Sequence, residues 1–427
     1  MVDATAITSP QPPTPTFTEA SLYWLKLGFI SFGGPAGQIA MMHQELVEKR
    51  RWISEQRFLH GLNYCMLLPG PEAIQLAIYI AWLMHGLGGA VVAGVLFFLP
   101  AFVLLSALAG IYLNFGDIPG IAGIFHGIKP AIVAVVLFAA WRIGSKSIKN
   151  GLLGSVAALA FIGIFFFKVD FPWIVLIAGI LGAVGGQVAP DKFRAGGGHG
   201  TSNKTYGPAV IDDHTPPPEH ARFSWNKLAV TLVAFLAIWT AGLAITAGSQ
   251  TLWDMGKFFT NAAFLTLGGA YAVLPYVYQN AVDYFGWLTG AQMMDGLALG
   301  ETTPGPLIMI VTWVGYIGGI TKQVFANTFI AGVAGAAVAT FFTFLPSFMF
   351  IIAGGPLVEA SRGDIKFTAP LTSIAAAVVG VIVNLAVFFA WHSFWPQATQ
   401  MDPFSGPFDL LSVVVATAAF LLSLIHI

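Results

Sequence analysis

The stretch "LLPGPEAIQLA", from Leu67 to Ala77, interrupts one of the most apolar regions of the chain. Proline removes a backbone donor and clashes with the preceding helical turn, so Pro69-Gly70-Pro71 cannot lie inside a regular helix. A second Pro-Gly-Pro, at 304–306 in "TTPGPLIMI", breaks another apolar run in the same way. In a membrane interior such a break is costly unless something satisfies the freed backbone groups. Its recurrence indicates that the breaks have a purpose.

The composition is that of a membrane protein. Of the 427 residues, 56% are hydrophobic and 9% are charged, whereas a soluble domain carries about 25% charged residues. Several apolar runs are long enough to cross a hydrocarbon layer of about 30 Å: 88–114, 121–141, 171–189, 227–247 and 326–353. The sequence therefore predicts an all-α polytopic membrane protein.

Some function classes are excluded by what the chain lacks. A net charge of −1 provides no basic field for nucleic acid. The single cysteine, Cys65, excludes an internal disulfide and a multi-cysteine metal site, and we expect it to be a packing residue. No phosphate-binding loop and no catalytic or metal-ligand cluster appears in the apolar segments. We predict no cofactor, no metal and no enzymatic activity.

The two halves of the chain resemble each other. "ISFGGPAG" (Ile30 to Gly37) matches "LTLGGAYA" (Leu265 to Ala272) at an offset of 235 residues, and the two Pro-Gly-Pro motifs keep that offset. Later, "FFLP" ending at Pro100 matches "FTFLP" ending at Pro346, and "LFAAW" matches "VFFAW". Ordered matches of this kind indicate an internal duplication.

Composition divides the chain into four parts. Residues 1–16 have no apolar core and are predicted to be a disordered tail. Residues 191–226, rich in Gly, Pro, Ser and Thr, are predicted to be an exposed cytoplasmic linker. The two repeats are predicted at 17–190 and 227–427, the second with one leading extra span. Because the chain ends on the apolar "LLSLIHI", we expect that the natural protein continues.

Charge placement predicts how the halves are oriented. The segment "HQELVEKRRWISEQR" carries Lys49, Arg50, Arg51 and Arg57, whereas its counterpart "YQNAVDYFGWLTGAQ" has no basic residue. The positive-inside rule makes the first loop cytoplasmic and the second external, as in an inverted repeat. "RIGSKSIK", after Trp141, also reads as cytoplasmic.

Arg57 and Arg142 lie on one side only if an even number of crossings separates them, so one of the three apolar segments between them must fail to cross. The best candidate is 60–86, which its Pro-Gly-Pro breaks into two half-length helices, and the other broken segments are interpreted in the same way. We predict re-entrant hairpins at 17–42, 60–86, 253–280 and 291–318. The alternative topology treats the broken segments as full crossings, which yields ten to thirteen spans and fits the charges less well.

Matched breaks at membrane depth point to a binding site for an anion. Interrupted helices are tolerated where they line a cavity, and in transporters they mark the substrate site. A half-helix that begins at Glu72 presents unpaired N–H groups and the positive end of its dipole. The glycine pairs at 33–34 and 268–269 let backbone N–H groups approach a ligand. The alternative is that these glycines and prolines only kink helices and ease their packing.

These motifs resemble the chromate ion transporter family in its long two-domain form, over residues 17–395. The resemblance rests on "FGGP" (32–35), "GQIA" (37–40), "LPGPEAIQLA" (68–77), "FFLPAF" (97–102), "LTLGGAYAVLP" (265–275) and "PGPL" (304–307). It implies efflux of chromate, which confers resistance, with sulfate as a further tetrahedral dianion. Leu307 stands where the first half has Glu72, so the two half-sites are chemically unequal.

The predicted substrate-binding residues cluster at the breaks. They are Lys26, Gly33, Gly34, Pro35, Gln38, Pro69, Gly70, Pro71, Glu72, Gln75, Gly268, Gly269, Thr303 and Gly305.

Several of these side chains have a specific expected role. Lys26 adds charge to the anion path or extends to the membrane interface, and Lys129 is a second basic candidate. Gln38 and Gln75 donate neutral hydrogen bonds to the oxyanion. Glu72 and Glu301 couple protons, or they cap half-helices and pair with cations.

We therefore expect a secondary active transporter that exports chromate across the inner membrane, driven by the membrane potential, a proton gradient or both. A dianion that leaves a negative interior gains about twice 2.3 kcal/mol per 100 mV. The alternatives are an oxyanion channel and a sulfate or oxyanion carrier without chromate specificity. The expected partners are the oxyanion and the lipid bilayer, and a homodimer stays open.

Overall fold

A computed structural model describes residues 12–32, 34–116, 118–193, 206–267, 269–360, 368–396 and 404–425. Within these ranges the chain is helical, apart from loops and one isolated parallel bridge between Ile53 and Ile211. The described part has six helices that are long and apolar enough to cross a membrane: Glu72–Phe115, Gly127–Ser147, Phe171–Val188, Trp225–Thr246, Thr328–Glu359 and Ala369–Phe394. The prediction of an all-α polytopic membrane protein is confirmed.

The first half contains seven α-helices. They are α1 (Phe17–Ile30), α2 (Gly34–His43), α3 (Glu55–Cys65), α4 (Glu72–Phe115), α5 (Pro119–Ser147), α6 (Gly151–Phe165) and α7 (Phe171–Val188). A π-helix, Gln44–Lys49, continues α2. Thr16 and Glu19 form a capping box that starts α1, and Ser54 caps α3, so local sequence sets where both begin. Short 3-10 turns follow at Pro190–Lys192 and Glu219–Ala221.

The second half repeats this order after one leading helix. Its helices are α8 (Trp225–Thr246), α9 (Gln250–Leu265), α10 (Ala270–Tyr278), α11 (Gly290–Thr302), α12 (Ile310–Thr321), α13 (Thr328–Ala360), α14 (Thr368–Phe394) and α15 (Leu410–Ile425). A π-helix, Gln279–Tyr284, again continues the second helix of the repeat, and a 3-10 turn, Leu307–Met309, precedes α12.

The same backbone hydrogen bonds occur at equivalent positions in the two halves, after the second helix of each repeat. The amide of Trp52 donates to Leu46 O, and the amide of Trp287 donates to Ala281 O, both at 2.7 Å. Left-handed residues also occur in pairs at the same offset of 235: Gly34 with Gly269, Gly70 with Gly305, and Arg51 with Gly286. The duplication that the sequence indicates extends to backbone geometry.

The Pro-Gly-Pro segment of the first half doubles back. A Cβ added at Gly61 in α3 would lie 2.5 Å from the ring of Tyr79 in α4, so the two limbs lie side by side. Beyond Tyr79, α4 kinks at His85 and Gly86, where Gly86 has φ 63° and ψ −151°, and then continues to Phe115. With 11 residues, α3 is shorter than the roughly 20 residues that a crossing needs.

The long helices α4 and α13 cross at the centre of the molecule. Phe98 stacks on Phe344 with ring centroids 4.8 Å apart, and Gly94 contacts Phe348, so the two helices run antiparallel. Phe98 and Phe344 are equivalent residues of the two repeats, at the offset of 246 that relates Pro100 to Pro346. Equivalent residues face each other in this way at a two-fold axis.

Part of the predicted linker is docked, so the expectation that it is exposed is wrong there. The amide of Ile211 donates to Trp52 O at 3.0 Å, and the amide of Ser54 donates to Ile211 O at 2.9 Å. Ile211 and Ala221 are buried. This pairing satisfies loop backbone groups that would otherwise lack partners. Residues 194–205, and residues 1–11 of the predicted tail, lie outside the described residues.

Candidate functional site

The four breaks meet in two reciprocal pairs. The amide of Gly70 donates to Thr266 O at 2.7 Å, and the amide of Gly305 donates to Ser31 O at 2.9 Å. Each bond joins the Pro-Gly-Pro break of one half to the first break of the other half. The two bonds are equivalent in the repeats: the donors Gly70 and Gly305 are 235 residues apart, and so are the acceptors Ser31 and Thr266. The structure thus brings together the breaks in which the sequence predicts a site.

The two Pro-Gly-Pro glycines are packing positions. Gly70 and Gly305 have φ of 121° and 118°, a region that favours glycine. A Cβ at Gly70 would lie 2.7 Å from Ser347 Oγ in α13, and one at Gly305 would lie 2.6 Å from Ala101 Cβ in α4. These breaks therefore lie directly against the central pair of helices.

Open space lies beside the Gly-Gly breaks instead. Gly34 has φ 70°, and among the described residues no heavy atom beyond its chain neighbours lies within 4 Å of a Cβ placed there. Gly269 has φ 99°, and the nearest atoms to its added Cβ are the Glu72 carboxylate oxygens, at 3.7 and 3.8 Å. Gly33 and Gly268 lie outside the described residues.

Two helix N-termini converge at Glu72. Helix α4 begins at Glu72 after the buried Pro71, and α10 begins after Gly269; neither has a side-chain cap bond. Uncapped N-termini present N–H groups and the positive ends of helix dipoles. The Glu72 carboxylate lies where these groups favour negative charge. This position fits both the capping role and the proton-coupling role that the sequence leaves open.

Gln38 and Gln75 are fully buried and hold the breaks in place. Gln38 Nε2 donates to Gly305 O, and Gln75 Nε2 donates to Pro69 O, each at 2.7 Å. Their Oε1 atoms have no hydrogen-bond partner in the described part of the chain. Gln75 Nε2 also donates to Ser347 Oγ at 3.5 Å. Donation from these amides to an oxyanion stays a prediction, since each already bonds the backbone.

The remaining predicted side chains differ in their surroundings. Tyr271 Oη donates to Glu301 Oε1 at 2.7 Å, which ties Glu301 to α10 two residues beyond Gly269. The hydroxyl of the buried Thr303 donates to Gly300 O at 3.2 Å. Pro35 is half-buried at the start of α2, and Lys26 is exposed on α1.

Sequence reasoning missed Arg142, in α5. Arg142 is half-buried on α5, which packs against α11, the helix that carries Glu301. The sequence places Arg142 in a basic cytoplasmic flank. One sequence feature could have drawn attention to Arg142. It directly follows Trp141, and at the equivalent place in the second repeat another titratable residue, His392, directly follows Trp391.

Comparison with known proteins identifies relatives over nearly the whole chain. The family model described as chromate transporter matches residues 18–183 and 253–427. A chromate transport protein of Pseudomonas aeruginosa is 32% identical over 386 residues, covering 88% of this chain and 82% of the relative. A chromate transport protein of Cupriavidus metallidurans is 28% identical over 398 residues, covering 90% and 88%.

One relative has half the length of this chain. An uncharacterized transporter of Bacillus subtilis is 30% identical over 179 residues, which cover 98% of that protein but 40% of this chain. A single repeat therefore corresponds to a whole protein elsewhere. No solved structure matches the chain significantly.

Proposed function

This chain belongs to the chromate transporter family, and from that premise we propose that it exports chromate across the inner membrane as a secondary active transporter. The observation that carries the proposal is the reciprocal pair of bonds, Gly70 to Thr266 and Gly305 to Ser31. It supports a single site built from both repeats, as in transporters whose substrate binds at the repeat interface.

We propose further that the repeats are inverted and that the breaks form re-entrant hairpins. The antiparallel crossing of α4 and α13 at Phe98 and Phe344 supports opposed orientation. The linker pairs with the basic loop through Val210 N and Arg51 O at 2.9 Å, which supports a cytoplasmic position for both.

Charge compensation at the proposed site comes from backbone amides and Arg142. Chromate is a tetrahedral dianion, and the ionised forms of Glu72 and Glu301 would repel it. We propose that both carboxyl groups are protonated while the oxyanion is bound, so that neither of them repels it. The membrane potential adds about 4.6 kcal/mol per 100 mV in favour of export of a dianion.

The test is chromate uptake into inverted vesicles that contain the purified protein, under an imposed potential or pH gradient, with sulfate as competitor. We expect uptake that saturates with chromate. Vesicles that take up no chromate under either gradient would contradict the function. Competition by sulfate at equal concentration would extend the substrate class to sulfate. Turnover far above about 10⁴ per second would favour the channel over a carrier limited by domain motion.

A further inference from the structure

A buried ion pair lies at the end of the molecule where the linker docks. Arg57 Nη2 in α3 contacts Glu359 Oε2 in α13 at 3.0 Å, with side chains that are 6% and 2% exposed. Tyr79 Oη, in the first part of α4, also donates to Glu359. The linker covers this cluster, because Arg57 Nη1 donates to Thr215 O at 3.3 Å.

A second ion pair lies at the opposite end. Lys129 Nζ in α5 contacts Asp295 Oδ1 in α11 at 3.3 Å, and Tyr112 Oη in α4 donates to Asp295 Oδ2 at 2.9 Å. Asp295 is 3% exposed and Lys129 is 28% exposed. Lys129 borders a cavity of about 120 Å³, lined also by Met294, His392 and Ser393.

The two clusters occupy corresponding places in the repeats. In the first cluster the ion pair joins α3, the first limb of one Pro-Gly-Pro hairpin, to the end of α13. In the second cluster the ion pair joins α11, the first limb of the other hairpin, to α5, and Tyr112 joins α11 to the end of α4. Each adds a tyrosine on the carboxylate. Helix α4 runs from its kink at Gly86, beside His220 of the linker, to Tyr112, so the two clusters lie at opposite ends.

Stability alone explains these pairs poorly. Taking two charges out of water costs about as much as their attraction returns, and well-packed apolar residues stabilise a protein equally well. A buried pair does have one property that an apolar contact lacks. When the pair separates and water enters, both ions are hydrated again, which stabilises the open state. An ion pair is therefore suited to a contact that must form and break repeatedly.

We propose that Arg57–Glu359–Tyr79 is the gate on the linker side, that Lys129–Asp295–Tyr112 is the gate on the far side, and that they open alternately. The inference rests on the proposed transport function. Each gate lies on the limb that leads to a Pro-Gly-Pro break, between that break and one end of the molecule. In this structure both ion pairs are formed, and they differ in that the linker covers the linker-side gate whereas the far-side gate borders a cavity.

The chain contains its own reporter for the linker-side gate. Cys65 is the only cysteine in the sequence, and it is buried on α3 between Arg57 and the break. A water-soluble maleimide, added from the linker side to full-length protein in inside-out vesicles, measures how often this path opens. We expect Glu359→Gln to speed labelling by about tenfold or more, because it leaves Arg57 buried without its partner charge.

Three further variants give this test its controls. The charge swap Arg57→Glu with Glu359→Arg restores the pair and is expected to return labelling toward the wild-type rate. Lys49→Gln breaks an exposed pair with Glu45 at the same end, and we expect no change. Asp295→Asn opens the far gate and is expected to leave labelling unchanged or slower.

The gate proposal fails if Glu359→Gln labels at the wild-type rate, if the swap labels as fast as the single variant, or if Asp295→Asn accelerates labelling equally. No substrate is present in this assay. The labelling rates therefore test the gate proposal alone. The transport function is tested separately, and a wild-type protein that moves no chromate would refute it.

Discussion

Glycine has two different uses at the four breaks. At Gly70 and Gly305 it lets the backbone lie against Ser347 and Ala101. At Gly34 the same absence of a side chain leaves open space beside left-handed backbone. Sequence matching treats all four as equivalent, whereas the structure separates packing glycines from those that can face a ligand.

Gly34→Ala is therefore expected to impair transport more than folding. A φ of 70° costs an alanine roughly 1–2 kcal/mol, and its methyl group enters the space next to the backbone amides. We predict at least a tenfold loss of chromate uptake in inverted vesicles, with the protein still present in the membrane. Gly127→Ala, on a regular turn of α5 with open space around it, is the matched control and should transport normally.

Arg142 is predicted to be the main cationic side chain of the site. Arg142→Gln should raise the KM for chromate at least tenfold, because a charged hydrogen bond contributes roughly 1.5–3 kcal/mol. Lys26→Gln is the informative comparison, since Lys26 is exposed. A raised KM in Lys26→Gln together with a normal KM in Arg142→Gln would contradict this assignment and favour the sequence-based one.

Glu301 is predicted to link transport to the pH gradient. Its carboxylate is tied by Tyr271, close to the break at Gly269. Glu301→Gln keeps the hydrogen-bonding shape but cannot exchange a proton. We expect the variant to retain uptake driven by the potential and to lose the extra uptake caused by a pH gradient. An unchanged pH response would restrict Glu301 to a structural role, and Glu72→Gln would then be the variant to examine.

The helical elements show what could be predicted from the sequence. Proline and glycine restrict or release φ locally, so the ends of α1 at Ile30 and of α3 at Cys65, and the start of α4 at Glu72, follow from nearby residues. The kink at Gly86 lies where the predicted hairpin 60–86 ends, and it also coincides with distant contacts, of His85 to Pro15 and of His220 to Trp82, that the sequence does not reveal.

The residues of the proposed site were also only partly predictable from the sequence. The four breaks were predictable from the duplicated motifs, whereas the partner of Gln38 was not, since Gly305 lies 267 residues further along the chain. Arg142 was missed because basic residues near the end of an apolar run are usually interfacial. It becomes a candidate only in the folded chain, where α5 packs against α11, the helix that carries Glu301.

The molecule as a whole is organised around the antiparallel pair α4 and α13. Equivalent phenylalanines stack where the two helices cross, and the Pro-Gly-Pro glycines Gly70 and Gly305 pack against the same two helices. We propose that these two helices cross the bilayer with the repeats in opposite orientation. The excess of basic residues in the first loop agrees with this arrangement.

Orientation can be tested with one equivalent pair of positions. Lys49 and Tyr284 are related by the offset of 235, and their side chains are exposed. In a Cys65→Ser background, we expect Lys49→Cys and Tyr284→Cys to react with an impermeant maleimide from opposite sides of the membrane. Labelling of both from the same side would exclude an inverted repeat.

The most direct test of the central claim is to locate chromium in the protein. Anomalous diffraction at the chromium edge, from crystals grown with chromate, gives the position of the substrate without reference to any mutation. We predict one peak beside the amides of Gly34 or Gly269, within reach of Arg142. A peak on the outer surface, or at a site formed by one repeat alone, would contradict a shared oxyanion site at the paired breaks.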